Sequence, residues 1–362
     1  MFSFKGFCLL LLTSFFAGCG SQVGPENIRN ERQDFNIALQ QTNDEQMLLN
    51  LVRMKYRDTN MFLEVGAIAS QYSLTSNITA SGSLKDNFSN SIGLGTKIEY
   101  QEKPTVSYTP LHGQSFITRL LSQVSPDTIN LLYKSGWSVE RLFLLCMERI
   151  QNIKNAPSAS GPTPKYVPKY KDFKKLCDLL RDLQINGEIQ MDLVSLSTDP
   201  NVKVYGHALT FNTKNEQTKE LKKLLGLGDA DYYILKQDRA LKDNELNFET
   251  RSIREILFYL SHAVEVPQKH IEQGLVTVTK NEDGSPFCWK DVTGELLQVK
   301  SCDCLAPPAN AYVSVRYRNT WFYIADNDLN SKSTFALLIQ LYDLQSGDSK
   351  GASPVLTLPI GG

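Results

Sequence analysis

Apolar residues recur at helical spacing through much of the first half of the chain. Two helices are predicted after residue 30, and the second, in "NDEQMLLNLVRMKYRD", would begin with Asn43 or Asp44 as its cap. Three more are predicted in "GQSFITRLLSQV", "SPDTINLLYKSG" and "SVERLFLLCMERI", the middle one ending near Gly136. The apolar face of the "NDEQMLLNLVRMKYRD" helix consists of Met47, Leu48, Leu51 and Val52.

Between residues 67 and 110 the pattern changes to alternation of apolar residues with small or polar ones, which is typical of β-strands. A turn at "KDN" separates two alternating runs, so this segment predicts an antiparallel hairpin or meander. Each run is about as long as the strands of roughly 9–11 residues that cross an outer membrane. The apolar face includes Tyr72, Leu74, Ile78, Leu94, Ile98 and Tyr100.

This apolar face has two interpretations. The hairpin packs it against neighbouring helices of the same chain and leaves its polar face in water. Alternatively, several subunits each contribute a hairpin to a shared barrel, which leaves no free strand edge in lipid. We predict the first arrangement, because it is the commoner one for an alternating hairpin.

The second half of the chain alternates helix and strand patterns. In "AYVSVRYRNTWFYIAD", period-two alternation on both sides of "RN" predicts a tight hairpin. Hairpins mixed with helices, without a run of βαβ units, predict the α+β fold class with an antiparallel α+β domain. Helices are predicted near 171–184, 215–225, 252–264 and 331–345, and strands near 188–197, 202–211, 231–236, 273–280, 286–300 in two pieces, 311–317 and 320–325.

The first residues have the three-part form of a secretory signal, in which Lys5 precedes a short apolar run and two small residues. The sequence "FAGC" resembles the lipobox of bacterial lipoproteins, although Phe16 stands where Leu is usual. The resemblance implies cleavage before Cys19 and attachment of a diacylglyceryl group and an N-acyl chain such as palmitate. Several acyl chains on one residue make membrane attachment stable. Gly20, in place of Asp, implies sorting to the outer membrane, on its periplasmic face; ordinary cleavage after Gly18 is the alternative.

A proline-rich stretch follows the helical part of the chain. It has four prolines among small polar residues, the composition of a linker or a long exposed loop. We therefore predict a signal peptide over 1–18, a lipidated tether over 19–30, a helical region with the 67–110 hairpin over 31–154, the linker or loop over 155–170, and an α+β domain over 171–362.

The C-terminal part also resembles a known group of proteins. The segment "YVSVRYRNTWFYIADNDLNSKSTFALLIQLYDLQ", followed by "PVLTLPIG", is similar to the C-terminal part of a group of proteobacterial lipoproteins. The similarity extends loosely to "LLNLVRMKYRDTNMFLEV" and "YTPLHGQSF". It implies a cell-envelope setting and carries no activity over to this chain.

The composition is that of a globular protein, 41% apolar and 21% charged, with a net charge of −1. This balance provides no basic excess to neutralise phosphates, so nucleic acid is not an expected partner. The expected partners are the membrane, through the N-terminal lipid, and the proteins of an envelope complex, with a homo-oligomer as one option.

The mature chain would keep an odd number of cysteines, so at least one thiol is free unless another chain pairs with it. A disulfide is predicted from Cys288 to either Cys302 or Cys304, because the intervening "WKDVTGELLQVK" predicts a hairpin. The motif "SCDC" lacks a histidine or a second cysteine pair at ligand spacing, so no metal is predicted. Cys146 and Cys177 lie on apolar helix faces and are predicted to be buried core residues.

The sequence contains no local catalytic motif. None of its four histidines lies in an H-E-x-x-H helix or beside a G-x-S-x-G turn, and "GLGTK" lacks the spacing of a phosphate loop. We predict no cofactor and a non-enzymatic structural or adaptor subunit of a cell-envelope assembly. The alternatives are an oligomeric pore or secretion subunit whose 67–110 hairpin crosses the outer membrane, and a periplasmic hydrolase without a recognisable local motif.

Overall fold

The chain has an α+β fold, as its sequence predicts. Cys19 and the predicted signal peptide lie outside the described residues. The computed structural model describes residues 23–83, 91–196, 204–212, 215–237 and 243–346, and within these it describes side chains outside 23–31 and 66–104.

The first helix, α1, is one element over Val23–Lys55. The prediction of two helices with a cap at Asn43 or Asp44 was therefore wrong. Asp44 lies inside the helix, is 8% exposed, and accepts a hydrogen bond from the Tyr312 hydroxyl at 2.9 Å. The Asp44 carboxylate therefore accepts from a tyrosine hydroxyl, whereas a capping carboxylate accepts from a backbone N–H in the first turn of its helix. The predicted apolar face is confirmed, since Met47, Leu48, Leu51 and Val52 are all buried.

The hairpin belongs to a compact unit of its own that includes residues 61–120. Strand β1 (Leu63–Ser83) pairs antiparallel with β2 (Ser91–Pro110), which confirms the predicted hairpin. Helix α2 (Gln114–Leu121) follows, and its Phe116 contacts Phe62 with ring centroids 6.1 Å apart.

The larger compact unit comprises residues up to 60 together with 121–344 and is built on a mixed sheet. The strands of this sheet are β3 (Met147–Ile150), β4 (Ile153–Lys154), β5 (Ile189–Ser195), β6 (Tyr205–Phe211), β7 (Tyr232–Lys236) and β8 (Glu245–Thr250). Their order is β4-β3-β8-β7-β6-β5, and β7 and β8 are parallel while the other neighbours are antiparallel.

Four of the five helices described below begin at side-chain caps that the sequence encodes locally. Ser125 accepts a hydrogen bond from the Thr128 N–H at 3.1 Å, with proline in the next position. Ser252 and Glu255 form a reciprocal capping box. The helices are α3 (Pro126–Lys134), α4 (Val139–Cys146), α5 (Lys171–Ile185), α6 (Glu216–Leu225) and α7 (Ile253–Ser261).

A second sheet and three more helices complete the described part of the larger unit. The hairpin predicted at "RN" is confirmed, because Arg318 and Asn319 both have positive φ (49° and 63°), as a two-residue turn of this kind requires. The elements are α8 (Gln268–Glu272), α9 (Lys290–Thr293), β9 (Lys300–Cys302), β10 (Ala311–Tyr317), β11 (Thr320–Ala325) and α10 (Leu329–Ser346), and the strand order is β10-β11-β9.

Three predicted elements of the second half differ from the structure. The helix predicted over "SVERLFLLCMERI" ends at Cys146, because the next four residues pair with β8 as strand β3. The strand predicted over 273–280 is absent from the described chain, apart from a single bridge at Lys280. The hairpin predicted over 286–300 is instead helix α9 with a following turn, in which Val292, Leu296 and Leu297 are buried at near-helical spacing.

The proline-rich segment 155–170 lies within the larger compact unit and not at a boundary between units. It is irregular apart from one short 3₁₀ turn at Pro157–Ala159. Asn155, Ala156 and Ala159 are nearly inaccessible, at 1%, 0% and 0% exposure, so part of this segment is core.

A fully buried arginine holds this segment in place. The Arg251 side chain is 0% exposed, and its guanidinium stacks over the Tyr259 ring at 4.1 Å. It donates to the carbonyl oxygens of Leu144 (3.1 Å), Leu145 (3.2 Å), Met147 (2.9 Å) and Asn155, and to the hydroxyl of Ser160 (3.0 Å).

Candidate functional site

An apolar cavity of 280 Å³ lies in the larger compact unit and is a candidate ligand site. Its volume lies just below the lower end of the range of roughly 300–1,000 Å³ that is usual for small-molecule pockets. The end of α1, the chain after α7 and the 276–289 segment form its walls. The wall residues include Lys55, His262, Val264, Ile271, Val276, Val278, Phe287, Trp289 and Leu297.

The end of helix α1 places Lys55 in the cavity wall. Directly after it, the Tyr56 hydroxyl and His270 Nδ1 are hydrogen-bonded at 2.7 Å. Arg57 turns the chain with a positive φ of 62° and donates to the Thr163 carbonyl at 3.2 Å. These contacts hold the chain directly after Lys55, and helix α1 holds the chain before it. The backbone that carries the Lys55 side chain is therefore fixed on both sides.

His262 and Trp289 form an aromatic wall of the cavity. Their rings stack with centroids 4.1 Å apart and an interplanar angle of 23°. His262 Nε2 lies 3.1 Å from the Ala159 carbonyl oxygen, so this nitrogen carries the proton and donates it. Burial, and next the charge of Lys55, lower the pKa of His262 to about 3. The imidazole is therefore neutral at physiological pH.

Lys55 is an ammonium group without a partner in the described structure. Its side chain is 6% exposed and forms no hydrogen bond or ion pair with a described residue. Burial lowers its pKa to about 8, so most molecules still carry the charge at neutral pH. The indole N–H of Trp289 is likewise buried without an acceptor among the described residues.

Three other polar side chains of the wall already have partners. The Thr279 hydroxyl donates to the Pro164 carbonyl, and Thr293 donates to the Trp289 carbonyl at 3.1 Å. Gln298 donates to the Gly294 carbonyl at 3.3 Å. Lys55 and the Trp289 N–H are thus donors that the surrounding protein leaves available for a bound molecule.

Sequence reasoning missed this cavity, although the sequence contains one signal of it. Lys55 follows Leu51 by four residues and Val52 by three, so it lies on the buried face of the helix. A lysine on an apolar helix face is unusual, because lysine is almost never fully buried without a partner. The cavity itself depends on the irregular chain between α8 and α9, which gives no periodic pattern.

The predicted cysteine pairing differs from the structure. Cys302 and Cys304 are joined to each other, while Cys288 is free and exposed. The predicted bridge from Cys288 assumed a hairpin over 286–300, and α9 occupies that segment instead. Cys146 and Cys177 are buried free thiols, as predicted, and burial raises the pKa of both.

The predicted hairpin residues lie in β1 and β2 at defined register. Leu74 is opposite Tyr100, Ile78 is opposite Thr96, and Leu94 is opposite Ala80, while Tyr72 and Ile98 are opposite Glu102 and Ser76. The side chains of these residues lie outside the described part of the chain. Whether the apolar face meets protein or lipid therefore stays a prediction.

The hairpin forms a two-stranded sheet within the described part of the chain. Neither β1 nor β2 pairs with another described strand. Near the end of β2, Val106 and Tyr108 are 38% and 60% exposed. These two exposed apolar side chains form a surface that another chain can cover.

Among the residues that the structure describes, no group of three or more His, Cys, Asp or Glu side chains could hold a metal ion. No helix of the described chain is long and apolar enough to span a membrane. The chain matches no protein-family model, no curated protein and no solved structure.

Proposed function

We propose that this protein is a lipid-anchored, non-enzymatic structural or adaptor subunit of a cell-envelope assembly, held at the periplasmic face of a bacterial outer membrane. The anchor and the compartment rest on the lipobox resemblance that ends at Cys19. The assembly role rests on the β1–β2 hairpin.

Two features of this hairpin support the assembly role most directly: its long strands, and its pairing with no other strand of the described chain. Its strands have 21 and 20 residues, whereas strands in globular proteins usually have about 3–10. A two-stranded hairpin alone is marginally stable in water. Contact of the hairpin with another chain would supply the stability that two strands alone lack.

The test is the mass of the native protein extracted from its own membranes in mild detergent. We expect a particle larger than one chain. Val106→Glu and Tyr108→Glu place a charge near a strand edge at exposed positions, so they should reduce the particle mass without unfolding the protein.

Leu305→Glu is the matched control, because Leu305 is a fully exposed apolar residue of the larger compact unit. It should leave the particle mass unchanged. A single-chain mass for the wild type, or an equal effect of all three substitutions, would contradict the proposal.

A second candidate function is a pore or secretion subunit whose hairpin enters the outer membrane. The observation that favours it is again strand length, since strands of about 9–11 residues are enough to cross the bilayer. Strands of 21 and 20 residues exceed that requirement along both halves of the hairpin.

The two candidates differ in where the far part of the hairpin lies. The background is the full-length Cys288→Ser protein in vesicles, which lacks the exposed free thiol. An environment-sensitive fluorophore is attached at Ile78→Cys or at Leu94→Cys. Thr105→Cys, at an exposed position, is the aqueous control. Quenching by lipid-bound nitroxide at positions 78 and 94 but not 105 would support the pore. Equal protection from lipid-bound quencher at all three positions would support the adaptor.

A further inference from the structure

We infer that the 280 Å³ cavity binds a small aliphatic carboxylate, with its chain against the apolar walls and its carboxylate at the Lys55 ammonium. This inference does not depend on the proposed assembly role, because all of the wall residues belong to the larger compact unit.

The charge of the cavity selects an anion. A buried ammonium without a counter-ion is unfavourable, and the described structure provides no counter-ion for Lys55. A carboxylate is the smallest organic group that supplies the opposite charge and several acceptor positions. The Trp289 N–H, buried in the same wall and without an acceptor, is a second donor that such a group can use.

The number of charges favours a monoanion. Lys55 is buried in the wall, whereas Lys290 is exposed and Glu265, also exposed, carries the opposite sign. His262 is neutral because its pKa is about 3, so it adds no positive charge. A phosphate monoester, which carries nearly two negative charges, would leave part of its charge unpaired in this site.

The shape and lining favour an aliphatic chain. Val264, Ile271, Val276, Val278 and Leu297 supply branched aliphatic surface on several sides of the cavity. A volume of 280 Å³ corresponds to about nine water molecules of roughly 30 Å³ each. This volume suits a medium-chain acid such as octanoate.

The first experiment measures the binding of octanoate and of 1-octanol to the full-length lipidated protein in lipid nanodiscs by calorimetry, with empty nanodiscs subtracted. The wild type should bind octanoate more tightly than octanol. Lys55→Met keeps the length of the side chain and removes the charge. It should weaken octanoate binding at least about tenfold and leave octanol binding unchanged.

Equal affinity of the wild type for the two compounds would overturn the inference. So would the absence of octanoate binding, or a Lys55→Met variant that binds octanoate as the wild type does.

A second experiment locates the ligand without changing Lys55. 8-Bromooctanoate should quench the fluorescence of Trp289, which lines the cavity, and octanoate should reverse the quenching by competition. In Trp289→Phe, which keeps an aromatic ring against His262, most of the quenching should disappear. Quenching that persists in this variant would come from another tryptophan and would place the ligand outside the cavity.

Discussion

The buried cations Arg251 and Lys55 differ in the number of hydrogen-bond acceptors around them. The Arg251 guanidinium has hydrogen-bond acceptors on several sides, and two of them, the Leu144 and Leu145 carbonyls, belong to the last turn of α4. The C-terminal end of a helix carries partial negative charge, so these peptide groups stabilise the arginine, and the carboxylates of Glu148 and Glu255 add to the favourable field. Lys55 has no comparable acceptors in the described structure. Its burial therefore costs the folded protein free energy, whereas the burial of Arg251 is compensated.

The first prediction is that Lys55→Met stabilises the ligand-free protein. Burial lowers the pKa of Lys55 from 10.5 to about 8, which corresponds to a destabilisation on the order of 3 kcal/mol at neutral pH. Methionine fills similar space without a charge. Urea unfolding at pH 7 should give a higher free energy of unfolding for the variant.

The pH dependence of this difference provides the control. Between pH 8 and 10.5 the unfolded state binds the lysine proton more tightly than the folded state does, so wild-type stability rises with pH relative to the variant. The two proteins should therefore converge as the pH passes through this window. A constant difference across the window would show that the lysine charge is not its cause.

The second prediction is that Arg251→Lys destabilises the protein by about 3 kcal/mol. Lysine has three donors around a single atom and cannot reach all five acceptors of the guanidinium, so buried carbonyls lose their partners. Chemical denaturation measures the change. Arg254→Lys, at an exposed position on the same helix, should stay within about 0.5 kcal/mol of the wild type.

At the scale of elements, helix α7 depends on its first residues for its position. The Ser252 hydroxyl and the Glu255 carboxylate satisfy each other's backbone N–H groups at the start of the helix. The helix carries Tyr259 against Arg251 and ends next to His262 in the cavity wall. The capping box thus contributes to the geometry of both the buried arginine and the candidate site.

The third prediction is that Ser252→Ala lowers the free energy of unfolding by about 1 kcal/mol, as the loss of a helix cap usually does. Thermal melting measures the loss. Ser333→Ala is the control, because the Ser333 hydroxyl donates to the carbonyl of Leu329 within its own helix and caps no N-terminus. An equal loss for both variants would show that the cap itself is not responsible.

Elements with strong local patterns could be predicted from the sequence. Helix α5 has regular apolar spacing, the β10–β11 hairpin has alternating residues around an explicit turn, and both lie where the sequence places them. Strand β3 could not be predicted, because "MERI" continues a helical pattern and becomes a strand only by pairing with β8. The cavity could not be predicted either, because it forms where the 262–298 stretch, which is distant in the sequence, meets Lys55.

At the scale of the whole molecule, the compact units do not follow the order of the chain. The larger unit takes residues from before position 61 and after position 120, so residues 61–120 interrupt it in the sequence. The sequence instead suggests a division at 155–170 from its prolines and small polar residues. Composition predicts where the backbone is irregular, but it does not predict whether that backbone is buried. Asn155 and Ala159 lie in the irregular segment and are nevertheless buried.

The fourth prediction concerns attachment of the whole protein to the membrane. Cys19→Ala should abolish incorporation of a clickable fatty acid and leave the precursor uncleaved, because the resemblance assigns the lipid to this residue. Metabolic labelling followed by membrane fractionation measures both effects. Cys288→Ala is the control, since this exposed thiol should carry no lipid. Normal labelling of the Cys19→Ala protein would refute the anchor.

The buried arginine also has a consequence for the lifetime of the folded state. Arg251 joins residues far apart in sequence, reaching back 107 positions to Leu144 and 96 positions to Asn155. Its acceptors come from α4, β3 and the 155–160 segment, so the complete network requires all three to be packed together, and we expect it to form after the rate-limiting barrier to folding has been crossed. Interactions that are absent from the transition state slow unfolding and leave the folding rate nearly unchanged. In stopped-flow measurements Arg251→Lys should therefore unfold faster than the wild type and refold at a similar rate, which makes this one side chain a determinant of how long the protein stays folded.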